Sequence, residues 1–187
     1  MIRVADLAGL AGATTLLALP FPRLAEAGVA DLESATVIGS GATARSAVLG
    51  LVALGARQVT VAARTPERAA ALADVADIEL RVVPLQEWAS TGDRAVVSTV
   101  PAGAANAGAG EHAGRDLTGT VLLDVVYADW PTPLARAARE RGATVVSGLE
   151  MLVHQAARQF QLFTGEPAPV AAMQAAGRAA LGHTPDA

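Results

Sequence analysis

Glycine and alanine residues near the first apolar run of the chain have the spacing of a phosphate-binding loop. Gly39, Gly41 and Ala44 fit the pattern G-x-G-x-x-G/A. In this pattern the first glycine forms a tight turn, the second lets the backbone approach a pyrophosphate, and the third position lets a helix pack on a strand. The helix N-terminus offers free N–H groups and the positive end of its dipole to an anion. The predicted pyrophosphate loop is Gly39, Ser40, Gly41, Ala42 and Thr43.

The residues about 20 positions beyond this loop indicate which dinucleotide would bind. An NAD-specific site has Asp or Glu there, which accepts hydrogen bonds from the ribose 2′-OH. The chain instead has Ala63, Arg64 and Thr65, and Arg68 follows. A guanidinium can lie across an adenine ring and pair with a 2′-phosphate, whereas the alternative is a solvated surface arginine. We therefore predict NADP as the cofactor.

A site of this kind lies in loops that follow buried strands. The chain has a matching pattern, because strand-like and helix-like segments alternate along it. The predicted strands cover residues 35–39, 58–62, 78–83, 95–99, 120–124 and 144–146. The predicted helices cover residues 44–54, 66–74, 133–141, 149–163 and 168–181, with one helical turn at 84–89. Short apolar strands alternating with helices are typical of a parallel sheet covered on both faces. The predicted fold class is α/β, a doubly wound parallel sheet of Rossmann type with C-terminal helices.

The composition suits one well-packed domain, since the 187 residues are 52% hydrophobic and 17% charged. We assign residues 35–187 to the dinucleotide-binding domain and residues 1–34 to a helical lead-in, with a helix at 5–19. In a doubly wound sheet, ligands bind outside the carboxyl ends of the strands. Site residues are therefore expected in the loops at 39–43, 63–68, 99–103, 125–127 and 147–151.

Charge and residue types argue against several classes of function. A net charge of -4 without a basic run argues against nucleic acid and anionic membranes as partners. The absence of cysteine excludes disulfides, thiol nucleophiles and cysteine-bound zinc. The 3 histidines are isolated, so we predict no metal site. All 14 basic residues are arginines, so no lysine is present to act as a general acid or to form a Schiff base.

The apolar run at residues 7–21 superficially resembles a secretory signal, because Arg3 precedes it. However, Asp6 lies where such a signal is positively charged, and Thr14 and Thr15 interrupt the run. A packed helix that leads into the first strand is therefore favoured. Because this run is interpreted as a packed helix rather than a secretory signal, we expect a cytoplasmic location.

Taken together, several sequence blocks resemble the NADP-binding half of shikimate dehydrogenase. The blocks are Gly39–Arg45, Ala63–Arg68 and Gly148–Gln155, of which the last is the most specific. Asp124–Tyr127 followed by Pro131–Leu134 is similar to the family's stretch D-x-x-Y-x-P-x-x-T-x-L. The resemblance extends from about residue 35 to the C-terminus. It implies reversible hydride transfer between NADPH and 3-dehydroshikimate, a step in aromatic amino-acid biosynthesis.

The resemblance also implies roles for residues beyond the glycine loop. Residues matching Val125 and Gly148 lie along the cofactor in this family, and the methionine matching Met151 borders the nicotinamide. The residues matching Tyr127 and Gln155 contact the carboxylate and hydroxyl groups of shikimate. The resemblance therefore implies these roles for the matching residues of this chain.

The loop after the fourth predicted strand departs from the family's N-A-T-P sequence and is S-T-V-P in this chain. Its residues Thr99, Val100 and Pro101 are still expected to contact the cofactor. We expect Asp124, at the end of the fifth predicted strand, to position Tyr127 or a helix rather than act as an acid or base.

The resemblance does not extend to the family's catalytic lysine and aspartate, which belong to an N-terminal substrate domain. Asp6 is a candidate for that aspartate, because Asp6-Leu7-Ala8-Gly9 partly matches the family's N-T-D-x-x-G. The simpler explanation is a carboxylate at a helix N-terminus. We therefore expect an NADP-dependent shikimate dehydrogenase that is incomplete as an enzyme in this chain, acting on a small-molecule substrate and compatible with a homodimer.

Two alternative functions remain open at this point. One is a non-catalytic NADP-binding module, which the absence of lysine favours. The other is the cofactor half of a different NADP-dependent dehydrogenase, such as glutamyl-tRNA reductase or methylene-tetrahydrofolate dehydrogenase.

Overall fold

The structure, a computed structural model, describes residues 32–104 and 115–182. The helix predicted at residues 5–19 and the candidate Asp6 lie outside the described residues. Leu32 is only 5% exposed, so the chain already contributes to the hydrophobic core two residues before the first strand. No helix in the described part of the chain is long and apolar enough to cross a membrane.

The described residues form a 6-stranded parallel sheet with the strand order β3-β2-β1-β4-β5-β6. The strands are β1 Ser34–Ile38, β2 Gln58–Ala63, β3 Glu79–Pro84, β4 Ala95–Ser98, β5 Val121–Asp124 and β6 Thr144–Ser147. This is the strand order of a dinucleotide-binding Rossmann sheet. From β1, the chain first adds β2 and β3 on one side and then returns to add β4, β5 and β6 on the other side, so the strand order reverses between β1 and β4. The predicted α/β doubly wound fold is therefore confirmed.

Helices cover the sheet and follow the predicted alternation. The α-helices are α1 Ala42–Ala53, α2 Pro66–Ala70, α3 Pro133–Glu140, α4 Gly148–Thr164 and α5 Val170–Ala180, and the 3₁₀ helices are Ala71–Val75 and Leu85–Ser90. Each face of the sheet has its own core. Val37 of β1 packs in the core that contains α1, whereas its neighbour Ile38 packs in the core that contains Trp88 and α3. Successive residues of a strand point to opposite faces, so apolar residues on both faces of β1 are buried.

The segment predicted as one helix at 66–74 is in fact one short α-helix followed by a 3₁₀ helix. The buried residues Ala69, Leu72 and Val75 are spaced by three positions, which matches the three residues per turn of a 3₁₀ helix. Thr65 is the N-cap residue of α2, and its side chain makes no capping hydrogen bond. Packing against the sheet, rather than helix propensity, therefore decides the geometry of this segment.

The two C-terminal helices form a hairpin in which α5 packs on α4. A Cβ atom at Gly177 of α5 would lie 2.7 Å from Cδ1 of Leu149 in α4, so a larger residue at position 177 would require the Leu149 side chain to move. On the same side of the hairpin, Gln174 donates a hydrogen bond of 2.9 Å to Glu150. The hairpin thus combines small-residue packing with a polar contact at the start of α4.

A polar network joins β1 to the start of β4 at the amino ends of the strands. The hydroxyl of the fully buried Thr36 donates to Asp93 Oδ2 at 2.6 Å, and Ser34 donates to Asp93 Oδ1 at 2.5 Å. The hydroxyl groups of Thr36 and Thr91 lie 2.7 Å apart. A buried hydroxyl without a partner destabilises a fold, so Asp93 secures the entry into β4.

We expect Asp93→Ala to lower the free energy of unfolding by about 1–3 kcal/mol, because it removes the carboxylate that accepts hydrogen bonds from both Thr36 and Ser34. Ser34→Ala removes one bond of the same network and leaves Thr36 paired, so it should cost less. Urea denaturation monitored by circular dichroism measures both changes. Equal stability of Asp93→Ala and the unmodified chain would contradict the role assigned to this network.

Candidate cofactor-binding site

A cleft of about 220 Å³ opens at the carboxyl ends of β1, β2 and β4, where the strand order reverses. Parallel strands ending at one edge bring together loops that are far apart in sequence. The residues that line the cleft are Gly39, Ser40, Gly41, Ala63, Arg64, Thr65, Arg68, Leu85, Thr99, Val100 and Pro101. All but Leu85 are predicted site residues. The structure therefore brings the glycine loop, the arginine segment and the loop after β4 to one place.

Leu85 was not predicted as a site residue. It is the first residue after β3, and the parallel pairing of β3 with β2 places it beside Ala63 and Arg64 at the same sheet edge. Its apolar side chain is buried and contributes to the core formed by Trp88 and its neighbours. The signal available in the sequence was its position in the helical turn predicted at 84–89, which follows the third predicted strand.

Gly39 occupies the point where β1, β2 and β4 end. Its φ of 109° lies in the region that favours glycine, and a Cβ atom there would lie 2.6 Å from Thr99 Oγ1. The backbone N–H of Gly39 donates to Ala62 O at 2.9 Å. Both the N–H and the hydroxyl of Thr99 donate to Ile38 O, at 2.9 and 2.8 Å. Both conformation and packing therefore require glycine at position 39.

Neither the backbone conformation nor the packing at position 41 requires a glycine. The φ of -89° and ψ of -169° of Gly41 suit any residue, and a Cβ atom there would meet nothing within 4 Å. It is the N-cap of α1, with no side-chain capping bond and no acidic residue in the first turn, which contains Ala42 and Thr43. The N–H groups of that turn lack intrahelical acceptors. The space in front of α1 is therefore open, and an anion can approach these N–H groups there.

Arginine side chains form the β2 side of the cleft. Arg64 follows β2, Arg68 lies in α2, and both are exposed. No Asp or Glu is among the described residues that line the cleft. Two arginines therefore line the cleft at the end of β2, where an NAD-specific site would have a carboxylate.

The remaining predicted residues lie at the ends of β5 and β6, on the other side of β4 from the arginines. A Cβ atom at Gly148 would lie 2.0 Å from Val125 O, and the N–H of Gly148 donates to Val126 O at 3.2 Å. Glycine at position 148 therefore allows the start of α4 to lie directly against the backbone after β5. These residues do not line the cleft defined above.

Along α4, the predicted residues follow Gly148 at helical spacing. Met151 and Gln155 are three and seven positions after Gly148, so they share its helix face. Met151 is buried, Gln155 is half-buried, and Tyr127 in the loop after β5 is 45% exposed. Helix α4 thus has a buried apolar residue about one turn before a more accessible polar one. Within the described part of the chain, no group of three potential metal ligands occurs.

Asp124, the last residue of β5, is buried and accepts several hydrogen bonds. Thr132 donates its hydroxyl to Oδ2 at 2.7 Å, Val126 donates its N–H to Oδ1 at 3.2 Å, and the hydroxyl of Ser98 also donates to this carboxyl group. Burial raises the pKa of Asp124 above its ordinary value, although the hydrogen bonds from Thr132, Val126 and Ser98 oppose that change. Thr132 in turn caps α3 by accepting the N–H of Ala135 at 3.1 Å. Thr132 directly precedes Pro133, so the local sequence carries both an N-cap residue and a proline at the first position of α3.

The strand order, the glycine loop at the reversal point and the arginines after β2 together define a Rossmann-type dinucleotide-binding domain. Sequence comparison leads to a narrower group. Residues 148–176 match the family described as Shikimate 5'-dehydrogenase C-terminal domain. Residues 34–127, which contain the cleft, match the family described as NADP oxidoreductase coenzyme F420-dependent.

Shikimate dehydrogenases are among the curated and solved proteins that resemble the chain. The shikimate dehydrogenase (NADP(+)) of Anaeromyxobacter sp. (strain K) is 39% identical over 160 residues, which are 80% of this chain and 55% of that protein. The crystal structure of Mycobacterium tuberculosis shikimate dehydrogenase has a TM-score of 0.72 and 40% identity, covering 89% of this chain and 62% of that one. Shikimate 5-dehydrogenase from Thermus thermophilus, in complex with NADP(H) and shikimate, has a TM-score of 0.68 and 27% identity, covering 96% and 76%.

The chain belongs to the shikimate dehydrogenase family. It spans about half the length of the curated relatives that it matches, as the values of 54% and 55% for relatives from Synechococcus and Anaeromyxobacter illustrate. The part it shares with them contains the parallel sheet, the cleft and the C-terminal helices.

The two glycines of the loop should respond differently to alanine. Gly39→Ala should lower the free energy of unfolding by about 1–3 kcal/mol, because φ is positive and Thr99 Oγ1 obstructs the new Cβ. Gly41→Ala should change it by less than about 1 kcal/mol, because the new methyl group enters open space. Urea denaturation of both variants tests this contrast. A destabilised Gly41→Ala would mean that position 41 is needed for folding rather than for a ligand.

Proposed function

We propose that the chain is the NADP(H)-binding half of a shikimate dehydrogenase-type oxidoreductase, whose family reaction is the reversible reduction of 3-dehydroshikimate to shikimate. The observation that carries the proposal is Gly41, whose missing side chain serves neither conformation nor packing and leaves open space at the N-terminus of α1. Family membership and the named relatives support the same function. The cofactor, when bound, supplies the hydride.

The two halves of a Rossmann sheet receive the two halves of a dinucleotide. The pyrophosphate is assigned to the loop from Gly39 to Thr43, where the N–H groups at the start of α1 can donate to it. The adenosine half is assigned to the β2 side, with Leu85 as an apolar contact and Arg64, Thr65 and Arg68 around the 2′-phosphate. Arginine suits this position because its charge is permanent and its fork of donors matches phosphate oxygens.

The nicotinamide half is assigned to the ends of β4, β5 and β6. Thr99, Val100 and Pro101 lie on the way there from the glycine loop, and Val125 and Gly148 form a packed backbone surface beside them. Met151 offers a buried apolar contact on the face of α4 that follows Gly148, which would exclude water from the ring. Tyr127 and Gln155 are assigned to the substrate, since a phenol and an amide can hydrogen-bond its carboxylate and hydroxyl groups.

A non-catalytic NADP-binding module is the second candidate. The observation in its favour is that all 14 basic residues are arginine, so the lysine of the family's catalytic pair is not among these 187 residues. The match of residues 148–176 to a shikimate dehydrogenase family argues against the cofactor half of another dehydrogenase class. A homodimer and a cytoplasmic location remain predictions that accompany the proposal.

Arg64→Ala should weaken NADP binding and leave NAD binding nearly unchanged, because only NADP carries the 2′-phosphate. A charge-assisted contact of about 1.5–3 kcal/mol corresponds to a loss of about ten- to a hundredfold. Isothermal titration calorimetry with both dinucleotides measures the loss, which should shrink as salt increases. Arg57→Ala is the matched control, since Arg57 is exposed just before β2, at the opposite end of that strand. Equal losses for both dinucleotides would show that Arg64 does not contact the 2′-phosphate.

The purified chain alone should bind NADP without oxidising shikimate. Loss of a general acid–base group typically costs a factor of about 10² to 10⁴, and the contacts of the family's substrate domain would be absent as well. The activity is measured from the absorbance of the NADPH that forms when the chain is mixed with shikimate and NADP. Shikimate-dependent NADPH formation well above the protein-free control would refute the expectation and assign proton transfer to residues of this chain.

A further inference from the structure

The carboxyl group of Asp124 joins several segments at the nicotinamide side of the proposed site. Its hydrogen-bond donors are Ser98 at the end of β4, Val126 in the loop after β5, and Thr132 at the start of α3. The sheet register places Asp124 between Ser98 of β4 and Ser147 of β6. One side chain therefore fixes the loop of residues 125–132 at both of its ends.

This loop connects directly to the residues assigned to the cofactor. Its first residues provide the backbone against which Gly148 packs, since a Cβ atom there would lie 2.0 Å from Val125 O. A shift of the loop would therefore move the start of α4 or open a gap beneath it. At its other end, Thr132 uses the same hydroxyl to donate to Asp124 and to cap α3. Loop position and helix position are thus coupled through one hydroxyl group.

A carboxylate suits this position better than its amide. Both oxygens of Asp124 accept hydrogen bonds, Oδ2 from the Thr132 hydroxyl and Oδ1 from the Val126 N–H, and the Thr132 oxygen also accepts the N–H of Ala135. Asparagine would offer one oxygen and one NH₂ group, so at least one of the present donors would lose its acceptor. Since Asp124 and Thr132 are both only 2% exposed, water cannot readily replace the lost bond.

We propose that Asp124 is a positioning residue that holds the β5–α3 loop, residues 125–132, in the conformation needed to receive the nicotinamide half of NADP(H). The inference rests on the proposed function, and it adds a residue that acts through the backbone of Val125 and Gly148 rather than by touching the cofactor. Asp124 lies on the β4–β6 half of the sheet, away from the arginine side of the cleft. Its loss should therefore affect the two halves of the dinucleotide unequally.

The test compares NADPH with 2′,5′-ADP, which carries the adenosine, the 2′-phosphate and one 5′-phosphate but no nicotinamide. Asp124→Asn removes the carboxylate. Thr132→Val removes the hydroxyl with little change in shape, and Thr132→Ser is its matched control because it keeps the hydroxyl. Titration calorimetry gives both affinities, the fluorescence of bound NADPH reports the surroundings of the nicotinamide, and circular dichroism reports folding.

We expect Asp124→Asn and Thr132→Val to weaken NADPH binding by about two- to tenfold, the value for one lost hydrogen bond. Nicotinamide emission at saturation should fall in both variants, whereas 2′,5′-ADP affinity should stay within about twofold. Thr132→Ser should match the unmodified chain in all measurements. If Asp124→Asn does not fold, the comparison of the two Thr132 variants decides.

Equal weakening of both ligands, or no weakening of NADPH, would overturn the positioning role. Equal behaviour of Thr132→Val and Thr132→Ser would overturn it as well, because the hydroxyl would then not matter. Failure of the unmodified chain to bind either ligand would instead refute the proposed function. If the unmodified chain binds both ligands and every folded variant binds them with unchanged affinity, the proposed function stands and only this inference is rejected.

Discussion

The cleft depends on the close contact between Gly39 and Thr99 at the point where the strand order reverses. Thr99 gives both its N–H and its hydroxyl to Ile38 O, which closes the end of β1 against the chain leaving β4. Only glycine fits beside it, with a Cβ distance of 2.6 Å and a positive φ. Because the chain turns here in so little space, α1 begins at Ala42, shortly after β1 ends at Ile38, and its N-terminus lies at the cleft where the strand order reverses.

Two different kinds of group in the cleft would hold a phosphorylated dinucleotide, namely backbone N–H groups and arginine side chains. The pyrophosphate would be held by backbone N–H groups, which need small residues and close approach but no charged side chain. The 2′-phosphate would be held by the exposed guanidinium groups of Arg64 and Arg68, which suits a protein with a net charge of -4 and no basic surface run. Affinity for the dinucleotide and preference for its phosphorylated form would therefore arise from different residues.

The other half of the sheet is organised by contacts between segments rather than by a loop motif. Gly148 lets the start of α4 touch the backbone after β5, and Asp124 ties that backbone to β4 and α3. Family membership agrees with this arrangement, since the match to the shikimate dehydrogenase C-terminal domain begins at Gly148 itself. The catalytic surroundings of the nicotinamide would thus be built on main-chain packing that buried polar groups hold in register.

The sequence by itself determined the alternation of strands and helices, the position of the glycine loop and the arginine segment after the second strand. Each of these is encoded in local spacing, which follows directly from helix and strand geometry. Only the tertiary structure decided that Leu85 lines the cleft, that residues 66–75 change from α to 3₁₀ geometry, and that Ser98, Asp124 and Thr132 share one hydrogen-bonded cluster. Those features depend on which strands are neighbours in the sheet and on which side chains are buried away from water. Neither the strand neighbours nor the burial is fixed until the sheet has formed.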